Sequence, residues 1–353
     1  MNIRLKTGIL FLCIFLIGCS PRLAPATPGL PAVPTGTSIP AGLTREQFAS
    51  LSSLQKVDDH PLYAMTYVGS YRPRTETLLV GNPIATTDSH PAWGCSLFTI
   101  LLDEDNLLYG RNFDWQFSPA LLLFTDPPDG YASVSMVDIE YLGFDLETAG
   151  NITDLPIEDQ SSLLDAPYLP FDGMNEHGLA IGMAAVPPGN VQPDANKETI
   201  GSLGIIRQML DHARTVDEAV DIMRSYNIDF EGGPSVHYLM ADAADKSVLV
   251  EYFNGEMHIL ENEEPWHLAT NFLRTSVGDP KDGNCWRYNK ISAQLSESNG
   301  QIDAQTAMGL LSDVAQNNTQ WSVIYHMSSG MINVAMGQQY ENMHQFQLDL
   351  TDQ

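Results

Sequence analysis

The stretch at residues 94–115, GCSLFTILLDEDNLLYGRNFDW, constrains the fold more than any other part of the chain. Residues 96–102 form an apolar run rich in strand-forming side chains, and residues 103–106 are typical of a turn. Residues 107–110 then begin a second extended segment. The pattern predicts a β-hairpin whose return strand brings Arg111 and Asp114 beside Cys95.

These three side chains suggest nucleophilic chemistry. A thiol is a good nucleophile only as the thiolate, which a neighbouring guanidinium favours. A carboxylate nearby can hold a protonated amine or orient a base. The spacing therefore fits a nucleophile at Cys95 supported by Arg111 and Asp114. It fits equally well an ordinary buried cysteine beside an ion pair at a strand end, and both interpretations stay open on spacing alone.

The motif around Cys95 also resembles a known family. Gly-Cys-Ser at 94–96, followed by Gly-Arg-Asn-Phe-Asp-Trp-Gln-Phe at 110–117, is similar to the choloylglycine hydrolase and linear amide hydrolase family. Its relatives include bile salt hydrolases, penicillin V acylases, acid ceramidase and N-acylethanolamine acid amidase. The resemblance continues at 170–182 and 266–287. It implies an α+β chain folded as the four-layer αββα sandwich of N-terminal-nucleophile hydrolases, in which the cysteine becomes the first residue of the mature chain.

The resemblance implies roles for residues far from Cys95 in sequence. Asn271, which follows a predicted strand, would donate to the oxyanion, and Arg287 would support the active site. Asn175, in a predicted hairpin turn, is a candidate for further active-site support. Bile salt hydrolases carry an active-site Asn later in this hairpin, where this chain has Ala185. That difference leaves half of the oxyanion hole to a backbone N–H.

The N-terminus predicts export. Residues 1–19 have the form of a signal peptide, with Arg4 and Lys6 before an apolar run that is too short to span a bilayer. Leu-Ile-Gly-Cys, ending at Cys19, resembles a bacterial lipobox, which implies lipidation of Cys19. A plain secretory signal whose apolar region contains cysteines is the alternative. Either reading places the protein outside the cytoplasm, and the lipobox predicts a lipid anchor in a bacterial membrane.

The rest of the chain divides into three predicted segments. Residues 20–43 are a proline-rich tether with little that could pack. Residues 44–94 are an N-terminal extension or propeptide, beginning with a helix whose capping box starts at Thr44. Residues 95–353 are the catalytic domain. An N-terminal nucleophile at Cys95 requires cleavage of the bond that precedes it, which leaves the extension as a released propeptide or as a retained small subunit.

The net charge and the absence of certain sequence motifs exclude several classes of function. The net charge is −27, and residues 95–353 hold ten Lys and Arg side chains against thirty-nine Asp and Glu. Such a body argues against nucleic acid, which requires a basic surface. The sequence has no metal-binding, nucleotide-binding or serine-hydrolase motif, and we expect no cofactor. The expected partner is a small N-acyl amide, with membrane contact only through the lipid anchor. The oligomeric state stays open.

The function that these features predict is hydrolysis of a linear amide by Cys95. Acyl transfer through the same site is an alternative. Another is a non-catalytic exported binding lipoprotein in which Cys95 and Cys285 form a disulfide. Two apolar stretches, 121–124 and 183–186, could line an acyl pocket or be plain core strands. We expect a preference for an uncharged or monoanionic amide with an apolar acyl chain.

Overall fold

The computed structural model describes residues 38–71, 94–189, 192–230, 233–283 and 285–351. In chain order, the strands within these residues are β1 (Gln55–Asp58), β2 (Leu62–Tyr67), β3 (Gly94–Ile100), β4 (Leu108–Asp114), β5 (Ala120–Thr125), β6 (Ser133–Asp138), β7 (Asp172–Asn175), β8 (Ala180–Ala185), β9 (Glu198–Gly201), β10 (Tyr226–Asp229), β11 (Val236–Ala241), β12 (Ser247–Phe253), β13 (Glu256–Glu261), β14 (Trp266–Ala269), β15 (Thr319–His326), β16 (Met331–Met336) and β17 (His344–Gln347). The helices are α1 (Arg45–Ser52), α2 (Leu146–Ala149), α3 (Gly204–His212), α4 (Val216–Ser225), α5 (Trp286–Ser298) and α6 (Ala304–Asp313). Short 3-10 helices lie at Glu104–Asn106, Ile139–Leu142, Ile152–Asp154, Ile157–Tyr168, Arg274–Ser276 and Pro280–Gly283.

Two sheets form the centre of the molecule. The large sheet has the strand order β1-β2-β5-β6-β7-β8-β11-β12-β13, and the small sheet has the order β14-β3-β4-β15-β16-β17. Neighbouring strands in both sheets are antiparallel except β2 and β5, which run parallel. Strands β9 and β10 form a separate parallel pair.

The sheets face each other, and helices cover their outer faces. Because successive strand residues point to opposite faces, Leu97 of β3 packs between the sheets, whereas Phe98 packs against α5 and α6. On the large sheet, Gly182 faces the small sheet, where an added Cβ would lie 2.7 Å from the Tyr109 hydroxyl. Gly173 faces the other way, against Leu210 of α3. The layers therefore run helix, sheet, sheet, helix, as the family resemblance implied.

Most predicted elements are confirmed. The hairpin of β3 and β4 forms with Cys95 opposite Phe113. The capping box at Thr44 is present, since the Thr44 side chain accepts from the Gln47 backbone and the Gln47 side chain accepts from the Thr44 backbone. Residues 145–166 are acidic, and this composition predicts a loop, but the structure differs. The segment forms short helices because Leu163 and Ala166 are apolar enough to pack on the outer face of the large sheet.

The N-terminal extension is part of the large sheet. All six residues of β2 are buried, and β2 pairs with β5 from Leu62–Ala120 to Tyr67–Thr125. The Tyr63 hydroxyl donates to the Ala149 carbonyl at 3.0 Å. The described residues include no helix with the length and apolar composition needed to cross a membrane. The predicted signal peptide with Cys19, and residues 20–37 of the tether, lie outside the described residues.

Candidate active site

Strands β3 and β4 place the central residues of the site. Their register pairs Gly94 with Asp114 and Leu97 with Arg111. Cys95 and Arg111 both point between the sheets, and the Arg111 Nη2 atom lies 4.0 Å from the Cys95 sulfur. Burial raises the pKa of the Cys95 thiol, and the positive charge of Arg111 opposes this shift. The buried thiol is therefore neutral at moderate pH until another group takes its proton.

Asn271 contacts Cys95 from the loop that follows β14. Its Oδ1 atom accepts a hydrogen bond from the Cys95 backbone N–H at 2.7 Å. Its Nδ2 atom donates to the Ala185 carbonyl at 2.8 Å. A side-chain amide has two N–H groups, so one donor remains beyond the bond to Ala185. The structure thus brings together Cys95, Asn271 and Ala185, the position where the family pattern differs.

Arg287, at the start of α5, links the same groups. Its Nη1 atom donates to the Cys95 carbonyl and, at 3.0 Å, to the Ser96 hydroxyl. Its Nη2 atom donates to Asn271 Oδ1 at 2.8 Å, so this oxygen accepts from both Cys95 and Arg287. Arg287 Nη1 also lies 3.9 Å from a carboxylate oxygen of Asp114. Because Arg287 is buried and makes several hydrogen bonds, it holds the backbone at Cys95 in one position.

Asp114 is fully buried beside residue 94. Thr319 donates from its hydroxyl to Asp114 Oδ1 at 2.5 Å, and Gln316 donates from its side chain to Oδ2 at 2.8 Å. Burial raises the pKa of Asp114, and these two hydrogen bonds oppose the shift. The Asp114 side chain is therefore held in a fixed orientation beside Gly94, the residue that precedes Cys95.

Asp172 is a site residue that sequence reasoning missed. Arg111 Nη1 forms a salt bridge with Asp172 Oδ2 and donates to the Phe171 carbonyl at 2.5 Å. Tyr325 and Trp321 also donate to Asp172, at 2.5 and 3.4 Å. Asp172 lies inside the 170–182 segment that resembles the family, so that segment was the available signal.

Gln316 and Thr319 were missed for a different reason. They lie 202 and 205 residues after Asp114 in the chain, and no local pattern marks them. Only the pairing of β4 with β15 brings them to the site.

Two predicted residues lie elsewhere. Asn175 is buried in the turn between β7 and β8, where it donates to the Leu210 and Ala213 carbonyls and accepts from two turn N–H groups. None of these bonds reaches Cys95, because the turn instead ties the hairpin to the end of α3. Cys285 precedes α5, and both Cys285 and Cys95 are free thiols, so the disulfide of the binding-protein alternative does not form. Within the described residues, no group of three His, Cys, Asp or Glu side chains could hold a metal ion.

Comparison with known proteins places this arrangement in a family. A sequence profile of the linear amide C–N hydrolases, choloylglycine hydrolase family, matches residues 95–272, which is half of the chain. The protein therefore belongs to the choloylglycine hydrolase family, whose members hydrolyse linear amides.

Solved structures support the fold. A mutant of the conjugated bile acid hydrolase from Clostridium perfringens superposes with a TM-score of 0.51 at 16% sequence identity, covering 72% of this chain and 92% of that chain. A second variant of that enzyme gives a TM-score of 0.50 at 14% identity with the same coverage of 72% and 92%. Penicillin V acylase from Agrobacterium tumefaciens gives 0.46 at 16% identity, covering 69% of this chain and 83% of that chain. The likeness to the bile acid hydrolase concerns the fold, which is the αββα sandwich of N-terminal-nucleophile hydrolases.

Proposed function

We propose that Cys95 is the nucleophile of a linear amide hydrolase and that cleavage of the Gly94–Cys95 bond activates it. The observation that carries the proposal is the convergence of Asn271 and Arg287 on the backbone of Cys95, with Arg111 at its sulfur. A merely structural cysteine does not require two buried guanidinium groups around it.

Maturation follows from the position of the thiol. The Cys95 sulfur adds to the Gly94 carbonyl, the Gly94–Cys95 C–N bond breaks, and a thioester to Gly94 forms. Breaking the C–N bond leaves the Cys95 nitrogen as a free α-amine, and water then hydrolyses the thioester to release the Gly94 carboxyl group and the Cys95 thiol. The amine, with an ordinary pKa of about 8, becomes the general base.

Turnover uses the same groups. The α-amine takes the thiol proton, and the sulfur attacks the carbonyl of the substrate amide. The free N–H of Asn271 and a backbone N–H donate to the oxyanion. Arg111 stabilises the thiolate, Asp114 positions the amine, and Arg287 holds the Cys95 backbone. The leaving amine departs with the proton from the α-amine, and water cleaves the resulting thioester to release the acid.

Mass spectrometry of the purified protein tests this proposal. We expect a chain that begins at Cys95, and we expect Cys95→Ala to remain uncut and inactive. The matched control is Cys285→Ala, which removes the other free thiol of the described residues and should leave cleavage intact. An active wild-type protein that is wholly uncut would refute the amine base.

We further propose a substrate with an apolar acyl chain and little charge. The strongly acidic body repels polyanions, although salt screens this beyond about 8 Å. The stretch 121–124 packs into the two cores on either side of the large sheet, as the core-strand alternative predicted. The stretch 183–186 includes Ala185, whose carbonyl accepts from Asn271, and this contact supports a role for the stretch in lining the acyl pocket.

A hydrolysis panel tests the substrate preference. It compares neutral N-acyl amides of increasing chain length, penicillin V and conjugated bile salts, each with and without an added amine acceptor. We expect the neutral amides to turn over fastest, with the free acid as product. Fastest turnover of conjugated bile salts would overturn the preference, and acylated acceptor as the main product would indicate a transferase.

We also propose that the protein is exported and lipid-anchored through Cys19, on the strength of the lipobox-like sequence before it. Stable anchoring requires more than one acyl chain, as single chains bind membranes only marginally. Fractionation of the bacterial host should place the wild type in the membrane fraction and Cys19→Ala outside it. Equal membrane association of the two proteins would refute the anchor.

A further inference from the structure

Gly94, the residue before the proposed cleavage point, has no room for a side chain. An added Cβ would lie 1.5 Å from Gln316 Nε2, 2.7 Å from Gln316 Cδ and 3.1 Å from Asp114 Oδ2. The backbone of Gly94 is not in the left-handed region, so its conformation alone does not demand glycine. The restriction on residue 94 therefore comes from the side chain of Gln316.

Gln316 is fixed in this position by Asp114 and Thr319. It lies on the loop between α6 and β15, and its side chain donates to Asp114 at 2.8 Å. Its backbone N–H donates to the Thr319 hydroxyl at 2.8 Å, and the Thr319 backbone N–H donates to the Gln316 carbonyl at 3.0 Å. The Thr319 hydroxyl donates in turn to Asp114. A side chain at position 94 would have to move the Gln316 amide away from the buried carboxylate.

We propose that Gln316 restricts residue 94 to glycine and so makes self-cleavage depend on an intact Asp114 site. This inference rests on the proposed cleavage at Cys95. A methyl group at residue 94 displaces the Gln316 amide, and Asp114 then loses one of its two side-chain donors. A buried carboxylate that loses a donor is less stable as the anion and less well oriented. Asp114 pairs with Gly94 across the hairpin, so the same disturbance also shifts the Gly94 carbonyl that the Cys95 sulfur must reach, and cleavage slows.

A double-mutant cycle tests the contact. The variants are Gly94→Ala, Gln316→Ala and the combination of both, and mass spectrometry follows the rate at which the chain beginning at Cys95 forms. We expect Gly94→Ala to slow cleavage at least about tenfold when Gln316 is present. In the Gln316→Ala background, the same substitution should slow it less than about threefold, because the obstructing amide is gone. The control is Gly309→Ala in α6, where an added Cβ meets no atom within 4 Å, and it should cleave like the wild type.

The outcomes separate this inference from the proposed function. Equal slowing by Gly94→Ala in both backgrounds, or no slowing in either, would overturn the role of Gln316 while a cleaved wild type keeps the proposed function. A wild type that never cleaves would overturn both. If Gly94→Ala alone does not fold, the inference requires the double variant to fold and cleave, and a double variant that also fails to fold would refute it.

Discussion

The first prediction concerns how much the buried ion pair of Arg111 and Asp172 contributes to the stability of the protein. Asp172→Asn keeps the shape of the side chain and removes its charge. The Asn oxygen can still accept from Tyr325, but its NH₂ group then faces the Arg111 guanidinium, so two donors oppose each other. Arg111 and Asp172 are 1% and 0% exposed, so water cannot replace the lost partner.

The expected cost is large because one charge is left buried and uncompensated. Breaking a buried ion pair by removing one partner typically costs about 3–5 kcal/mol. With a urea dependence of about 3 kcal/mol per molar, this lowers the unfolding midpoint by roughly 1–1.7 M. The Phe171 carbonyl, which still accepts from Arg111 at 2.5 Å, keeps the loss from being greater.

Urea unfolding followed by tryptophan fluorescence measures this effect. All variants are made in the uncut Cys95→Ala background, so that single chains are compared with single chains. The control is Asp221→Asn, which removes a surface ion pair to Arg224 whose partners are 74% and 58% exposed, and which should change stability by less than about 1 kcal/mol. An Asp172→Asn midpoint equal to that of the control would refute a stabilising role for the buried pair.

Three further changes have predictable results. Burial raises the pKa of Asp138 from 3.8 to about 7, so the wild type loses stability as pH rises through that range and the buried carboxyl group ionises. In urea unfolding, the free energy of unfolding of Asp138→Asn should exceed that of the wild type by up to about 4 kcal/mol at pH 8 but not at pH 4. Burial would raise the pKa of Glu251, but His237 and Thr275 lower it from 4.5 to about 2. The ionised Glu251 side chain therefore stabilises the fold above pH 4.5, and this stabilisation is lost as pH falls to 2. The free energy of unfolding of Glu251→Gln, measured across an acid titration, should lie about 2–3 kcal/mol below that of the wild type at pH 7 and equal it near pH 2. Asn271→Ala, assayed on chains verified to start at Cys95, should lower kcat about 10²–10³-fold, and an unchanged kcat would exclude it from the oxyanion hole.

The interactions that could be predicted from the sequence are those between residues that are close together in the chain. The hairpin that joins Cys95 to Arg111 and Asp114 was predictable, because strand, turn and strand are contiguous and the register follows from the turn. Asn271 and Arg287 hydrogen bond to Cys95 across 176 and 192 residues. No periodicity links positions so far apart, and only the family resemblance pointed to them.

Asp172 and the segment 145–166 show that charged residues alone do not predict burial or secondary structure. Asp172 is an acidic residue in an acidic chain, and nothing local distinguishes a buried salt bridge from a solvated surface charge. In 145–166 the acidic residues suggested a loop, yet the few apolar side chains between them decided the structure by packing on the large sheet. The parallel pairing of β2 with β5 was equally hidden, since it joins the N-terminal extension to a strand on the other side of Cys95.

That parallel pairing changes the reaction order of folding once Gly94–Cys95 is cut. Strands β2 and β5 then belong to two separate molecules joined by backbone hydrogen bonds and by the buried faces of Tyr63 and Met65. Unfolding of the cleaved enzyme releases two chains from one, so its midpoint rises with protein concentration and its refolding becomes second order. The uncut Cys95→Ala chain folds at a rate that is independent of concentration. In a cleaved protein lipidated at Cys19, noncovalent contacts such as this strand pairing, the Asp58–His344 ion pair and the Tyr71–Asp211 hydrogen bond would connect the membrane to the chain that carries Cys95.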